Sequence, residues 1–142
     1  MTHPIPSANK RLVRALKGLS IDRTPFWFMR QAGRSLPEYR ALRGSGSILD
    51  AIANPDLACE ITLQPVRRYG VDAAILFSDI VVPLEAIGFG VDVVPGRGPV
   101  VAKPFASAAD LERLRPLEPS DIAHVTATVD RVVAALEPTD TP

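Results

Sequence analysis

The sequence predicts an α/β fold, and three observations carry that prediction. Two short, almost wholly apolar runs, Pro25–Met29 and Ala73–Phe77, each break off into polar or charged residues. A stretch of helical character precedes each run. Glycines, prolines and Asn or Ser residues punctuate the chain where such elements should start and stop. Helix then buried strand, twice over, is the rhythm of α/β proteins.

Taken in order, the first helix is expected from about Ser7 to Leu16, with Leu12, Ala15 and Leu16 as its apolar stripe and Gly18 as its stop. Pro25–Met29 follows, flanked by Asp22-Arg23-Thr24 and Arg30-Gln31. An apolar run without alternation reads as a strand buried on both faces, as in a parallel sheet. Ser35, three residues before Glu38 and just ahead of Pro37, has the spacing of a capping box opening the next helix. Gly44-Ser45-Gly46-Ser47 should end that helix in a loop. Asn54-Pro55 is an N-cap and first-turn proline, starting a helix that reaches Tyr69 and stops at Gly70. Pro65, inside it, cannot donate a backbone hydrogen bond, and a kink is expected there. Ala73–Phe77 is the second strand, closed by Ser78-Asp79. Val91–Val94 and Val100-Val101 flank Pro95–Pro99 as a hairpin. Ser107 with Asp110 suits a short helix. Ser120 suits a longer one, on which Ile122, Val125, Val129, Val132, Val133 and Leu136 share a face.

Composition limits the function classes. The chain of 142 residues is 46% apolar, enough for one ordinary domain with a core. Lys plus Arg equals Asp plus Glu, at 16 each, so no global field favours nucleic acid or an anionic membrane surface. The single cysteine, Cys59, allows no intrachain disulfide and suits a reducing cytoplasm. Met1–Lys10 lacks the apolar stretch of a signal peptide, and no run reaches the ~18 apolar residues of a membrane span. Two apolar runs and a hairpin are too few to close a barrel of eight strands. The residues fit either a small open α/β domain or the front part of something larger.

The chemistry concentrates in Met29-Arg30-Gln31-Ala32-Gly33-Arg34, immediately after the first apolar run, where parallel α/β folds place their active sites. Arg30 and Arg34 are candidates for a carboxylate clamp, because a guanidinium binds carboxylates bidentately and stays charged. The same spacing also suits two surface arginines facing water. Asp79, ending the second run, is costly to bury unless paired, and in a parallel sheet it shares a rim with Arg30. Equally, it suits a cap for the following turn. Together these residues describe a cationic rim around one anion, fit for a multiply carboxylated ligand that presents N–H donors or develops positive charge. Gly44-Ser45-Gly46 lacks the third glycine of a dinucleotide loop, and Gly96-Arg97-Gly98 fits hairpin-turn chemistry. His3 and His124 have no metal-spaced partner.

Pro25 through Arg40 closely resembles the first signature of the uroporphyrinogen decarboxylase family. Asn54-Pro55, Thr62–Pro65, Ala73–Ile80 and Pro83–Gly88 resemble that family's following segments in the right order. The resemblance implies the N-terminal part of a (β/α)8 TIM barrel, incomplete in this chain, with residues 1–142 forming that portion of the barrel domain. It further implies a cytoplasmic homodimer, free of metal and external cofactor. The implied reaction removes four acetate carboxyl groups from uroporphyrinogen III to give coproporphyrinogen III in porphyrin and haem biosynthesis. By the same resemblance, Arg30 and Arg34 bind or polarise substrate carboxylates, Asp79 accepts hydrogen bonds from pyrrole N–H groups, and Gln31 and Ala32 line the pocket. Phe77 and Ile80 would stand near the macrocycle. Asp79 and Arg30 are the implied catalytic residues, with Arg30 either a proton donor or a clamp alone. The family's later strands, carrying a tyrosine, a serine and a histidine of the pocket, find no counterpart before Pro142, so this chain is expected to be weak or inactive alone. Two other readings stay open: a non-catalytic fragment or interaction module, and a corrinoid-linked methyltransferase of the same barrel superfamily. The intact Met29–Arg34 motif weighs against the second.

Overall fold

A computed structural model describes residues 10–94 and 96–142. The helices are α1 (Arg11–Leu16), α2 (Pro37–Arg43), α3 (Ile48–Ile52), α4 (Pro55–Tyr69), α5 (Val82–Ala86) and α6 (Ala123–Leu136). Strands β1 (Val91–Val94) and β2 (Gly98–Val101) pair antiparallel, with Val93 opposite Pro99 and Val94 opposite Gly98. Turns of 3-10 helix cover Ala108–Arg113 and Pro119–Ile122. The start of the expected first helix, Ser7–Asn9, and the hairpin's Pro95 lie outside the described residues.

Helix α4 is the centre of the packing. Asn54 accepts hydrogen bonds from the N–H groups of Asp56 and Leu57, Pro55 needs no partner in the first turn, and Gly70 closes the helix at φ +60°. The helix runs through Pro65, whose side chain is fully buried. Its inner face, Ala58 and Ile61, packs with Leu36, Tyr39, Ala51, Ile52, Phe77 and Val82 into one core. Tyr39 meets Phe77 edge to face, with ring centroids 5.9 Å apart. Helix α6 lies along α4, turning Val132 and Leu136 inward, and Arg131 reaches across to Asp56.

Two caps differ from expectation. Leu36, not Ser35, is the N-cap of α2 and has no side-chain cap bond. Leu36 is completely buried, and that anchorage sets where the helix begins. The glycine-serine loop proves shorter than it reads, because Ser47 accepts from the Leu49 N–H and forms a capping box with Asp50 to start α3. At α6, Ser120 falls within the preceding 3-10 turn and Ile122 is the N-cap.

The two apolar runs need the larger correction. Neither is a laddered strand among the described residues, and the first is not buried on both faces. Phe26, Trp27, Phe28 and Met29 are 40, 45, 56 and 79% exposed. A strand in a parallel barrel takes backbone partners from two neighbours and cover from both faces. Here the first run has chiefly the head of the second, and the second takes Pro142 on its other side, the Ala74 N–H donating to Pro142 O at 3.1 Å. The Asp72 N–H donates to Phe26 O at 2.8 Å, and the Gln31 amide spans the gap to Ala73 O. The second run is better covered, with Val71, Ala73 and Phe77 buried.

Side chains complete what the ladder does not. Thr62, fully buried on α4, donates to Ala58 O and accepts from the Phe77 N–H at 2.9 Å, pinning the second run to the helix. Thr62→Val keeps the shape and strands that N–H, so stability is expected to fall by about 1–2 kcal/mol. A urea-unfolding midpoint equal to that of the unaltered chain would contradict this role.

Candidate active site

The carboxyl ends of the two apolar runs meet at an open cleft of about 620 Å³. Met29, Arg30, Gln31 and Ala32 line it from the first run, and Ile75 to Val81 from the second. Ile48 of α3 and the hairpin residues Val93 and Pro99 supply the remaining wall.

Gln31 is 5% exposed, with both ends of its amide engaged. Its Nε2 donates to Ala73 O at 2.8 Å, and its Oε1 accepts from the Phe28 N–H at 3.2 Å. It therefore ties the two runs together while lining the cleft, and it fixes the backbone on which Arg30 stands. Arg30 is exposed, and its guanidinium makes no hydrogen bond or ion pair among the described residues. Arg34, Arg43 and Arg97 share that condition, whereas Arg11, Arg23, Arg67, Arg68, Arg115 and Arg131 are paired to carboxylates. An unpaired guanidinium facing a cleft is ready for an external carboxylate.

Asp79 follows the second run, half-buried. Its Oδ1 accepts from the Val81 N–H at 3.0 Å, and its backbone oxygen accepts from the Val82 N–H at 3.2 Å. This is the turn-capping arrangement that the sequence left open. It also holds one carboxylate oxygen in place on the cleft wall, which is compatible with a role for the second oxygen towards a ligand.

Arg30, Gln31, Ala32 and Asp79 thus share one cleft, with Phe77 and Ile80 beside them. Arg34 does not line it. The Leu36 N–H donates to Gly33 O at 3.0 Å, turning the chain into α2 as Leu36 sinks into the core, and Arg34 stands exposed on that turn. The hairpin wall was missed at the sequence level, although its position soon after Asp79 was a usable signal. Asp72 was also missed. It is 3% exposed, paired with Arg11 and Arg23, and accepts the Phe26 N–H at 2.9 Å. A carboxylate at the head of an apolar run, needing cationic partners, could have flagged it.

A solved relative and a family model give these elements their class: the N-terminal part of a (β/α)8 barrel. A solved methyltransferase from Methanosarcina mazei shares the fold at a TM-score of 0.64 and 25% identity, covering 94% of this chain and 40% of that protein. The family model for Uroporphyrinogen decarboxylase (URO-D) matches residues 7–142, and the chain belongs to that family. The uroporphyrinogen decarboxylase of Thermobifida fusca is 57% identical over 124 residues, which is 87% of this chain and 34% of that relative. The Salinispora tropica enzyme of the same name is 53% identical over 133 residues, 94% of this chain and 36% of its own length. The chain therefore spans about a third of the curated relatives it matches. Among the described residues no helix is long and apolar enough to cross a membrane.

Proposed function

We propose that residues 1–142 form the N-terminal portion of a uroporphyrinogen decarboxylase barrel domain. As part of a complete barrel they would serve the conversion of uroporphyrinogen III to coproporphyrinogen III, in a cytoplasmic homodimer. The observation that carries this reading is the gathering of Arg30, Gln31 and Asp79 on one cleft in a chain of this family.

The residue types suit the chemistry. Loss of carbon dioxide from an acetate arm leaves an electron pair that needs a sink. Protonation of a pyrrole carbon turns the ring into an iminium-like cation, and the electrons of the breaking C–C bond neutralise it. A proton then adds to the former acetate carbon, giving a methyl group, and the ring carbon loses its proton. The substrate supplies the sink, so this sequence calls on no external cofactor. A fixed Asp79 carboxylate near the pyrrole N–H groups stabilises the cation more than the neutral ring, which is the differential stabilisation catalysis requires. Arg30 is assigned to a substrate carboxylate, where a cation orients the arm. Arg34, set on the turn outside the cleft, is assigned to an outer carboxylate of the same ligand.

The experiment is a chimera in which this chain replaces the matching third of the Thermobifida fusca enzyme. The chimera is expected to release coproporphyrinogen, and the chain alone to show little turnover. A chimera with a sharp thermal transition and no decarboxylation would sink the proposal. Steady product formation by the isolated chain, its mass verified, would overturn the need for the remaining barrel.

A further inference from the structure

Gln31 lines the cleft, yet its side chain is 5% exposed and both ends of its amide are taken by the protein. The Phe28 N–H donates to Oε1 at 3.2 Å, so a side chain ties together two residues three apart. Met29 and Arg30 are the two residues inside that turn, and both are exposed. At its other end the amide donates from Nε2 to Ala73 O at 2.8 Å, which moors the turn to the second run.

The first run therefore has two ties to the second. At its head, Asp72 accepts the Phe26 N–H and donates its own N–H to Phe26 O. Beside the cleft, the tie is the Gln31 amide. An amide accepts from an N–H and donates to a C=O at once, and it carries no charge that would capture Arg30. A carboxylate, an ammonium or an apolar side chain does at most one of these things. The Arg30 guanidinium, with no hydrogen-bond or ion-pair partner among the described residues, takes its aim from the backbone that carries it. If that turn were loose, a ligand would have to order it on binding, and the ordering would weaken the contact.

We infer that Gln31 is a positioning residue, which acts on the ligand through Arg30 by holding the Met29–Arg30 turn against the second run. The inference rests on the polycarboxylate reading above and divides the labour within it. Arg30 supplies the charge, and Gln31 supplies its direction.

The test is a fluorescence titration of the full 142-residue chain with uroporphyrin, the oxidised macrocycle that keeps all the substrate's carboxylates. Arg30→Gln is expected to weaken binding roughly three- to fivefold, as for one exposed charge contact, and to flatten its salt dependence. Gln31→Met removes no charge, yet it should weaken binding by up to the same factor and flatten the salt dependence too. Combined with Arg30→Gln it should cost little more, because the group it aims is already gone. Damage to the fold, or a direct contact between Gln31 and the ligand, would instead multiply the two losses. Should Gln31→Met lack a cooperative thermal transition, Gln31→Asn takes its place, with an amide one methylene too short to span Phe28 and Ala73. Multiplying losses, or an unchanged salt dependence in the Gln31 variant, overturns the positioning role and leaves that of Arg30 standing. If the unaltered chain binds no uroporphyrin, the polycarboxylate reading falls and this inference with it.

Discussion

Asp72→Asn is expected to destabilise the fold by about 2–3 kcal/mol. The side chain is 3% exposed and receives the Arg11 guanidinium, both terminal nitrogens of Arg23 and the Phe26 N–H. Asparagine keeps the shape, removes the charge and turns an NH2 group towards a cation. Breaking a buried ion pair costs about 3–5 kcal/mol when the survivor stays buried. Arg11 and Arg23 are 21 and 43% exposed, so water screens what they lose and the lower figure applies. The loss also frees the first apolar run, since Phe26 is held to Asp72 through both its N–H and its C=O.

The acid limb of the stability curve tests the same contact. Burial pushes the Asp72 carboxyl up, but Arg23, the Phe26 N–H and Arg11 together outweigh it and hold the group below its usual range. A carboxyl lowered in the folded state stabilises fully above the unfolded value of about 3.9, and that contribution is lost as pH falls through the folded value. Asp121, held at about 2 by Arg115 and the Glu118 N–H, titrates in the same region but lies outside this cluster. Asp22, held at about 2 chiefly by Arg11, belongs to the cluster through that shared guanidinium, so the difference between the two proteins reads Asp72 together with its coupling to Asp22. Urea midpoints measured from pH 7 down to pH 2.5 should converge for Asp72→Asn and the unaltered chain. Parallel curves, or equal midpoints at pH 7, would refute the assignment.

Why some of this was readable in the sequence and some was not follows from the range of the forces involved. Asn54, Pro55 and Gly70 bound α4 through bonds within four residues, and their residue types announce it. The hairpin is equally local, since glycine flanking Arg97 needs only the turn itself. Ser47 and Asp50 carry the same kind of signal, masked by a glycine-serine stretch that resembles a linker. Non-local effects were not legible. The first run is apolar enough for a two-sided burial, yet burial depends on partners the run does not encode, and Trp27 and Phe28 stand half-exposed. The departure of Arg34 from the cleft is decided by Leu36 entering a core assembled from four helices and Phe77. Arg30, Gln31 and Asp79 could be placed together because each ends or follows an apolar run, and chain direction alone carries such ends to one rim.

Asp79→Asn, made in the barrel completed by the Thermobifida fusca remainder, is expected to lower turnover by roughly 10²–10³-fold, the scale of removing one preorganised electrostatic partner from a transition state. Asparagine can still accept the Val81 N–H through its carbonyl oxygen, so the turn into α5 and the fold should survive. What it cannot do is oppose the positive charge that builds on the pyrrole ring. With its carbonyl oxygen on the Val81 N–H, the amide turns an NH2 towards the pyrrole N–H groups, so KM should rise too, and the lost opposition to the developing cation adds a fall in kcat. Arg30→Gln offers the contrast: it removes a cation from a substrate carboxylate present before and during reaction, so KM should rise at least as much as kcat falls. This pairing separates the two roles. If Asp79→Asn raised KM and left kcat intact, the carboxylate would serve binding and turn-capping alone, and the cation would need another stabilising group in the barrel.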